Sequence, residues 1–435
     1  MKKGGILADS KSPAPARQPR ILLVDCDMFY VQVARLEDPE GMGREDLLIV
    51  GGSPTGRGVV TSASYGVRAF GVHSGMPTAH ALRLCPEAKV VGVSREAISS
   101  RSKQVHAALR DLSPVVQAAS VDEFYLDLTG TERLFHGEPL AETAARIRED
   151  ILRRTEVSVS IGGGTRKLIA KLAAGKAKPG GVWVVEPGRE EAFMHEFKLS
   201  EIPGVGPALA RELEAKGLVW VKDLLPVDRD WLERWLGPSR AAWLWERARG
   251  RDRSRVDPGE PRKSISSERT FGSDLTDDRK LERELLRLTG SVGRTLRKKG
   301  LRGRTITVKI RDHDFKTRQA GHTLPDPVES DATLYSVALS LFRELRDKRR
   351  VGVRLLGVGI SSLVEGDHPP QLDLFGTASE PEPERQRALS RVVDDLRDRF
   401  GRNAINPGRI LERNEERPGA DGHGTGPARE GKEKP

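Results

Sequence analysis

A chain of 435 residues with 37% apolar residues and 45 glycines has enough apolar mass for about three folded domains, which excludes wholesale disorder. Lys and Arg number 73 against 63 Asp and Glu, a formal net charge of +10, which points to a polyanionic partner, either nucleic acid or an anionic membrane surface. Only Cys26 and Cys85 are present, which excludes a disulfide framework and a structural zinc site; with no run of about 18 apolar residues and no secretory signal at the basic N-terminus, a cytoplasmic protein outside the membrane is expected.

Residues 1–19, rich in Lys, Arg, Pro and Ser, read as a disordered arm. Order begins at Ile21-Leu22-Leu23-Val24, an apolar run that predicts a buried strand ending in Asp25-Cys26-Asp27; Phe29 to Leu36 then starts a helix. Leu47 to Val50 and Val59 to Ser62 predict two further strands, and Met76 to Leu84 a short helix. A hairpin is expected between Ser113 and Thr129, with Asp122-Glu123 inside its second strand. The spacing of Ala144, Ile147 and Ile151 predicts a helix over 141–155, followed by a strand from Val157 to Ile161 and a basic helix from Arg166 to Ala177. This is an α+β arrangement. Residues 189–249 are helical in pattern and hold five of the six tryptophans, Trp220, Trp231, Trp235, Trp243 and Trp245. Gly250 to Lys263 is charged and reads as a tether. Helix-and-strand patterning returns from Ser264 to Val364, including the alternating run Arg304 to Arg311. Leu389, Val392, Val393, Leu396 and Phe400 recur at helical spacing, and residues 412–435 lack every large apolar residue.

Ionised groups in apolar strands are costly unless paired or bound to a metal. Asp25 closes one such strand and Asp122-Glu123 lies in another. If the strands are neighbours, the three carboxylates converge on a pair of Mg²⁺ ions, hard cations that take oxygen ligands. Singly, each acid reads as well as a helix cap or the partner of a surface Arg. Tyr65 and Arg68 share a helical face and suit a phosphate chain, although the same spacing occurs in ordinary turns. Lys167, Lys171 and Lys178 fall near one stripe of the basic helix, either a solvated face or a source of ammonium groups for triphosphate oxygens. Ile202-Pro203-Gly204-Val205-Gly206-Pro207 is a helix-hairpin-helix pattern: Gly204 and Gly206 let main-chain N–H groups approach a phosphate, or simply turn the chain between packed helices. Among the eleven residues 294–304 six are basic (Arg294, Arg297, Lys298, Lys299, Arg302 and Arg304) and none is acidic. The run leads into the alternating strand and predicts either a solvated surface or a basic sheet edge on a phosphate backbone.

Taken together, Leu23-Val24-Asp25-Cys26-Asp27-Met28-Phe29-Tyr30, the Tyr65–Arg68 segment running on to Ser74-Gly75-Met76-Pro77-Thr78-Ala79, and Ser120-Val121-Asp122-Glu123-Phe124-Tyr125-Leu126-Asp127 resemble the Y-family translesion DNA polymerases of the DNA polymerase IV type. The segment Lys171 to Gly181, the glycines at 204 and 206, and Val353 to Val358 extend the match over residues 20–364. The resemblance implies a multidomain right-hand polymerase: palm at 20–28 and 95–186, fingers at 29–94, thumb at 187–250, linker at 251–263 and a C-terminal little-finger domain at 264–364. The tail 365–435 is then mostly flexible, with a possible helix at 385–400.

That likeness also implies roles. Asp25, Asp122 and Glu123 are catalytic and, with the Cys26 main-chain carbonyl, hold two Mg²⁺ ions. Tyr30 is the steric gate against a 2′-hydroxyl. Ser62, Tyr65, Arg68 and Lys171 hold the triphosphate. Primer–template DNA and deoxynucleoside triphosphates are the partners; low fidelity, no proofreading domain and a place in DNA damage tolerance follow. Gln371-Leu372-Asp373-Leu374-Phe375 resembles the family's sliding-clamp peptide, with Leu374 and Phe375 as anchors. A monomer is expected. The chain departs from the pattern at Gly164-Thr165-Arg166-Lys167, where Arg166 replaces the asparagine often found before the lysine. The alternatives are a non-catalytic clamp- and DNA-binding scaffold of the same fold, and a helix-hairpin-helix nuclease or lyase.

Overall fold

The apolar run Ile21–Cys26 is strand β1, buried along its whole length. In the computed structural model, which describes residues 18–259, 261–366, 382–401 and 404–408, it is followed by α1 (Phe29–Glu37), β2 (Leu48–Gly51), β3 (Val60–Ala63), α2 (Tyr65–Arg68), α3 (Thr78–Leu84), β4 (Lys89–Val91) and α4 (Arg95–Leu112). Next come β5 (Val116–Ala118), β6 (Glu123–Asp127), α5 (Leu140–Thr155), β7 (Val159–Gly164), α6 (Lys167–Ala177) and β8 (Val182–Val184). Five helices, α7 (Glu190–Met194), α8 (Pro207–Glu214), α9 (Val221–Leu224), α10 (Arg229–Leu236) and α11 (Pro238–Ala248), complete the first of two units, residues 1–260.

In this unit the strands order as β5-β6-β1-β7-β8, antiparallel except for the parallel pair β7–β8. The pleat sorts the side chains of β1 onto two faces. Leu22, Val24 and Cys26 join Phe124, Leu126 and residues of α4 and α5 in one core, while Ile21 and Leu23 meet Tyr125 and Ala170 and Ala174 of α6. Asp25, two residues beyond Leu23, therefore belongs to the α6 face. The α6 backbone lies directly on β7: a Cβ at Gly162 would stand 2.0 Å from the Ala174 nitrogen and 2.1 Å from the Ala170 carbonyl oxygen. Small residues on both elements allow this contact. A smaller sheet, β3-β2-β4, has its own core of Ile49, Val60, Val67, Val72 and Met76. The tryptophan-rich helices pack around Phe193, Leu213, Leu224 and Leu244.

The segment expected as a tether is docked as far as Asp257. Val256 is buried with Leu23 and Tyr125, and the Asp257 amide donates to Gln117 Oε1 at 3.2 Å. Asp252 also answers the departure at Arg166. An arginine at that N-cap position makes no side-chain cap; instead the Asp252 carboxylate accepts from the Leu168 N–H at 3.2 Å, satisfying a first-turn donor from 84 residues away.

The second unit, residues 261–435, holds β9 (Ser264–Leu275), α12 (Asp278–Lys298), β10 (Leu301–Asp312), β11 (Thr317–Val328), α13 (Asp331–Lys348), β12 (Val353–Glu365) and α14 (Glu384–Phe400). The sheet orders as β11-β10-β12-β9 and is antiparallel throughout. Leu281, Leu285, Leu288, Val292 and Leu296 of α12 pack with Phe342 of α13 against Ile306, Val308 and Ile310. The helix expected at 385–400 is α14, and its docking corrects part of the basic-run expectation. Arg297 is not offered to a phosphate backbone: its side chain is 5% exposed and bonds Asp331 (2.8 Å), Asp394 of α14 (2.7 Å) and the Glu329 carbonyl (2.6 Å). Arg302 is also turned inward, donating to the Pro327 carbonyl at 2.5 Å and standing 4.0 Å from Glu382. Lys298, Lys299 and Arg304 remain exposed. No helix among the described residues is long and apolar enough to cross a membrane.

Candidate active site

Strands β1 and β6 are neighbours, and Asp25 lies directly opposite Glu123 in their antiparallel register. Residues opposite each other project from the same face of a sheet, so both carboxylates stand on the α6 face. The Cys26 amide donates to the Asp122 carbonyl at 2.9 Å, which fixes Asp122 beside the end of β1. Burial pushes the Cys26 thiol well above its ordinary pKa, and Asp122, Asp25 and Asp27 add to the shift, so the fields of three carboxylates meet at this strand end. The thiol itself lies in the core with Phe29 and Phe124.

The carboxylates do not stand bare. Lys178, just beyond α6, places its ammonium 2.8 Å from Asp25 Oδ1. Lys171 of α6 pairs with Glu123, and Ser120 Oγ bonds Asp122. Even with Lys178 beside it, burial holds the Asp25 carboxyl above the usual carboxylate range. Among the described residues no three acidic, imidazole or thiol groups form a closed metal-ligand cluster. The donor set nevertheless fits a hard divalent ion: oxygen ligands only, Asp25 and Glu123 on one sheet face and Asp122 at the same strand end, with two ammonium groups supplying the positive charge that such an ion would bring. Lys167, the third lysine of the expected stripe, is directed elsewhere, bonding Gln117 and lying 4.5 Å over the Tyr125 ring.

Two residues past Asp25, Asp27 is 2% exposed, and sequence reasoning gave it no role. Its Oδ1 accepts from the Tyr65 hydroxyl (2.9 Å) and Ser160 Oγ (2.7 Å), and its Oδ2 from Ser158 Oγ (3.0 Å) and the Gly180 amide (3.0 Å). Burial and then the bond to Asp27 push the Tyr65 phenol above its ordinary range. Tyr65 and Arg68 do share a face: the guanidinium lies 5.1 Å from the ring centroid, and its Nε donates to the Ala63 carbonyl at 2.9 Å. Ser62 is buried in β3 opposite Val50. Tyr30 is half-buried in the first turn of α1, its ring edge-on to Phe29 with centroids 6.1 Å apart. Lys178 and Asp27 are the site members that motif reading undervalued; a charged residue two places from Asp25 was the available signal for the second.

Away from this cluster, Gly204 adopts φ +102°, and a Cβ there would lie 2.6 Å from the Trp243 ring, so only glycine fits. Gly206 precedes α8, has open space where a Cβ would stand, and leaves the helix start without a side-chain cap. Gln371, Leu372, Leu374 and Phe375 lie outside the described residues.

Residues 24–175 match the impB/mucB/samB family, and residues 262–374 match the C-terminal domain of the same family. The DNA polymerase IV of Caulobacter vibrioides is 37% identical over 391 residues, covering 89% of this chain and 93% of its own. The DNA polymerase IV of Halorhodospira halophila is 39% identical over 344 residues, covering 79% of this chain and 95% of its own. Among solved structures, a Y-family DNA polymerase chimera of Dbh and Dpo4 superposes with a TM-score of 0.72 at 28% identity, covering 80% of this chain and 100% of that one. An insertion ternary complex of Dbh DNA polymerase gives 0.57 at 26% identity over the same shares.

Proposed function

The chain belongs to the impB/mucB/samB family and is a Y-family translesion DNA polymerase, and we propose that it extends primers at the carboxylates Asp25, Asp122 and Glu123. It is a template-directed nucleotidyltransferase that binds primer–template DNA and deoxynucleoside triphosphates, and the family is metal-dependent. The observation that carries the proposal is the register of Asp25 against Glu123, with Asp122 held at the same strand end.

In this reading the three acids and the Cys26 carbonyl hold two Mg²⁺ ions. The chemistry such ions supply is activation of the primer 3′-hydroxyl toward the α-phosphate and neutralisation of the pyrophosphate that leaves. The protein's own groups do the rest. Lys178 and Lys171 pair with Asp25 and Glu123; where those carboxylates would serve as metal ligands, the two ammonium groups would be free to bind the triphosphate. Arg68 offers a planar guanidinium, stacked on Tyr65, to the same phosphates, and Ser62 lines that side. The Tyr30 ring lies under the incoming sugar and rejects a 2′-hydroxyl by contact.

The larger sheet with its helices is the palm, residues 29–94 the fingers and 187–250 the thumb, whose Gly204–Gly206 turn grips a DNA phosphate without reading bases. Residues 264–364 are the little finger, with Lys298, Lys299 and Arg304 toward the DNA backbone. A sliding clamp binds Gln371 to Phe375, and the enzyme works as a monomer in the cytoplasm. Primer extension on a primed template with Mg²⁺ and all four deoxynucleotides tests the proposal. Wild type extends the primer, and Asp122→Ala loses on the order of a thousandfold in rate while staying folded. A folded wild-type protein that leaves the primer untouched refutes it, and strand scission without nucleotides points to a nuclease instead.

A further inference from the structure

Four neutral donors from three separate segments converge on one buried carboxylate. Asp27 stands between β1 and α1; Ser158 immediately precedes β7 and Ser160 lies in its first residues; Gly180 follows α6; Tyr65 opens α2. Among the described residues no lysine or arginine pairs with Asp27, and the partners of its side chain are neutral hydrogen-bond donors. The main chain is equally tied: the Asp27 amide donates to the Ser158 carbonyl at 3.0 Å, and Gln32 Nε2 bonds the carbonyl oxygens of both Asp27 and Ser158.

Two of the four donors lead to groups that the proposed function places on the triphosphate. Gly180 is two residues from Lys178, whose ammonium touches Asp25. Tyr65 carries Arg68 against its ring. A phenol has one O–H, and here it points at Asp27, so Tyr65 meets phosphate through its ring partner and its placement. The carboxylate accepts from all four; an amide in its place would aim N–H groups at one pair of them, where a serine or tyrosine hydroxyl must turn round to accept and the Gly180 N–H cannot.

We infer that Asp27 is a positioning residue that couples the Tyr65–Arg68 segment to the Lys178–Gly180 turn, setting the spacing of the two cationic groups that receive the incoming nucleotide's triphosphate. It touches neither metal nor nucleotide and acts through the groups it holds. The inference rests on the proposed polymerase reaction, and its test separates the two.

Wild type, Asp27→Asn, Tyr65→Phe and the double variant are compared for single-nucleotide insertion at saturating primer–template. Asp27→Asn raises KM for the nucleotide about tenfold with kcat within about threefold of wild type, and adding Tyr65→Phe makes it no worse, since both break the same link. Amide exchange in the free protein, without nucleotide or metal, speeds up at both 65–70 and 178–181 in Asp27→Asn. Wild-type KM in Asp27→Asn, effects that multiply in the double variant, or faster exchange at only one segment overturns the inference. If Asp27→Asn does not fold, Ser158→Ala and Ser160→Ala, each removing one donor, carry the same comparison, and an unchanged KM in both overturns it. A wild-type protein that inserts nothing refutes the polymerase reading, and the exchange measurement still decides the coupling.

Discussion

Tyr30 follows the left-handed Met28 (φ 37°), the residue that turns the chain from β1 into α1. That backbone places the Tyr30 ring five residues from Asp25, on a helix whose other early residues are buried. A rigid ring held on a helix discriminates sugars by contact, so shortening it removes the contact and leaves the chemistry in place. Tyr30→Ala raises ribonucleotide insertion relative to deoxynucleotide by about tenfold or more, measured as the ratio of kcat/KM values; an unchanged ratio denies Tyr30 the gate role. At this scale legibility followed cost. Asp25, Asp122 and Glu123 stood out because carboxylates in apolar strands demand an explanation. Asp27 makes the same demand, but its partners Ser158, Ser160 and Gly180 lie more than a hundred residues away and look like ordinary strand and turn residues. Arg297 failed in the opposite direction: inside a basic run it resembled its solvated neighbours, and the acids that bury it, Asp331 and Asp394, are remote in sequence.

Among the elements, α6 does most to build the site, because Lys171 and the turn bearing Lys178 both depend on where it lies. Its position is set by a contact of backbone on backbone at Gly162. Gly162→Ala must push helix and strand apart, since neither the Ala174 nitrogen nor the Ala170 carbonyl can move aside as a side chain would. The expected result is a loss of about 1–3 kcal/mol in denaturant unfolding, together with lower kcat/KM for insertion; wild-type stability and rate would show that α6 is placed by something else. Strands and helices here were legible from apolar runs and 3–4 spacing, often to within a residue or two. The expected strand stopped at Ile161, short of the glycine run 162–164 that β7 includes, because the close approach those glycines permit is a property of two elements together. The Asp252 cap on α6 was hidden for the same reason: Arg166 showed only a departure from the family pattern, and nothing local pointed to a carboxylate 84 residues away.

For the molecule as a whole, the surplus of ten positive charges is compatible with a polyanionic partner and says nothing of where it binds. The structure divides the basic run 294–304 between two uses, inward ion pairs that dock α14 and exposed Lys298, Lys299 and Arg304. Both units have complete apolar cores of their own, as the return of helix-and-strand patterning after Lys263 implied. Docking of α14 was not legible, since it rests on scattered charges such as Glu329 with Arg391 at 2.7 Å rather than on an apolar stripe. The proposed reaction needs the end of β1 to hold divalent ions while a primer is extended. Crystals of the full chain with primer–template, an incoming nucleotide and Mn²⁺, read by anomalous scattering, test that most directly. The expected result is Mn²⁺ peaks bounded by Asp25, Asp122 and Glu123, with Lys178 released from Asp25 toward the triphosphate. Mn²⁺ bound elsewhere, with Asp25 still paired to Lys178 beside a bound nucleotide, would contradict it.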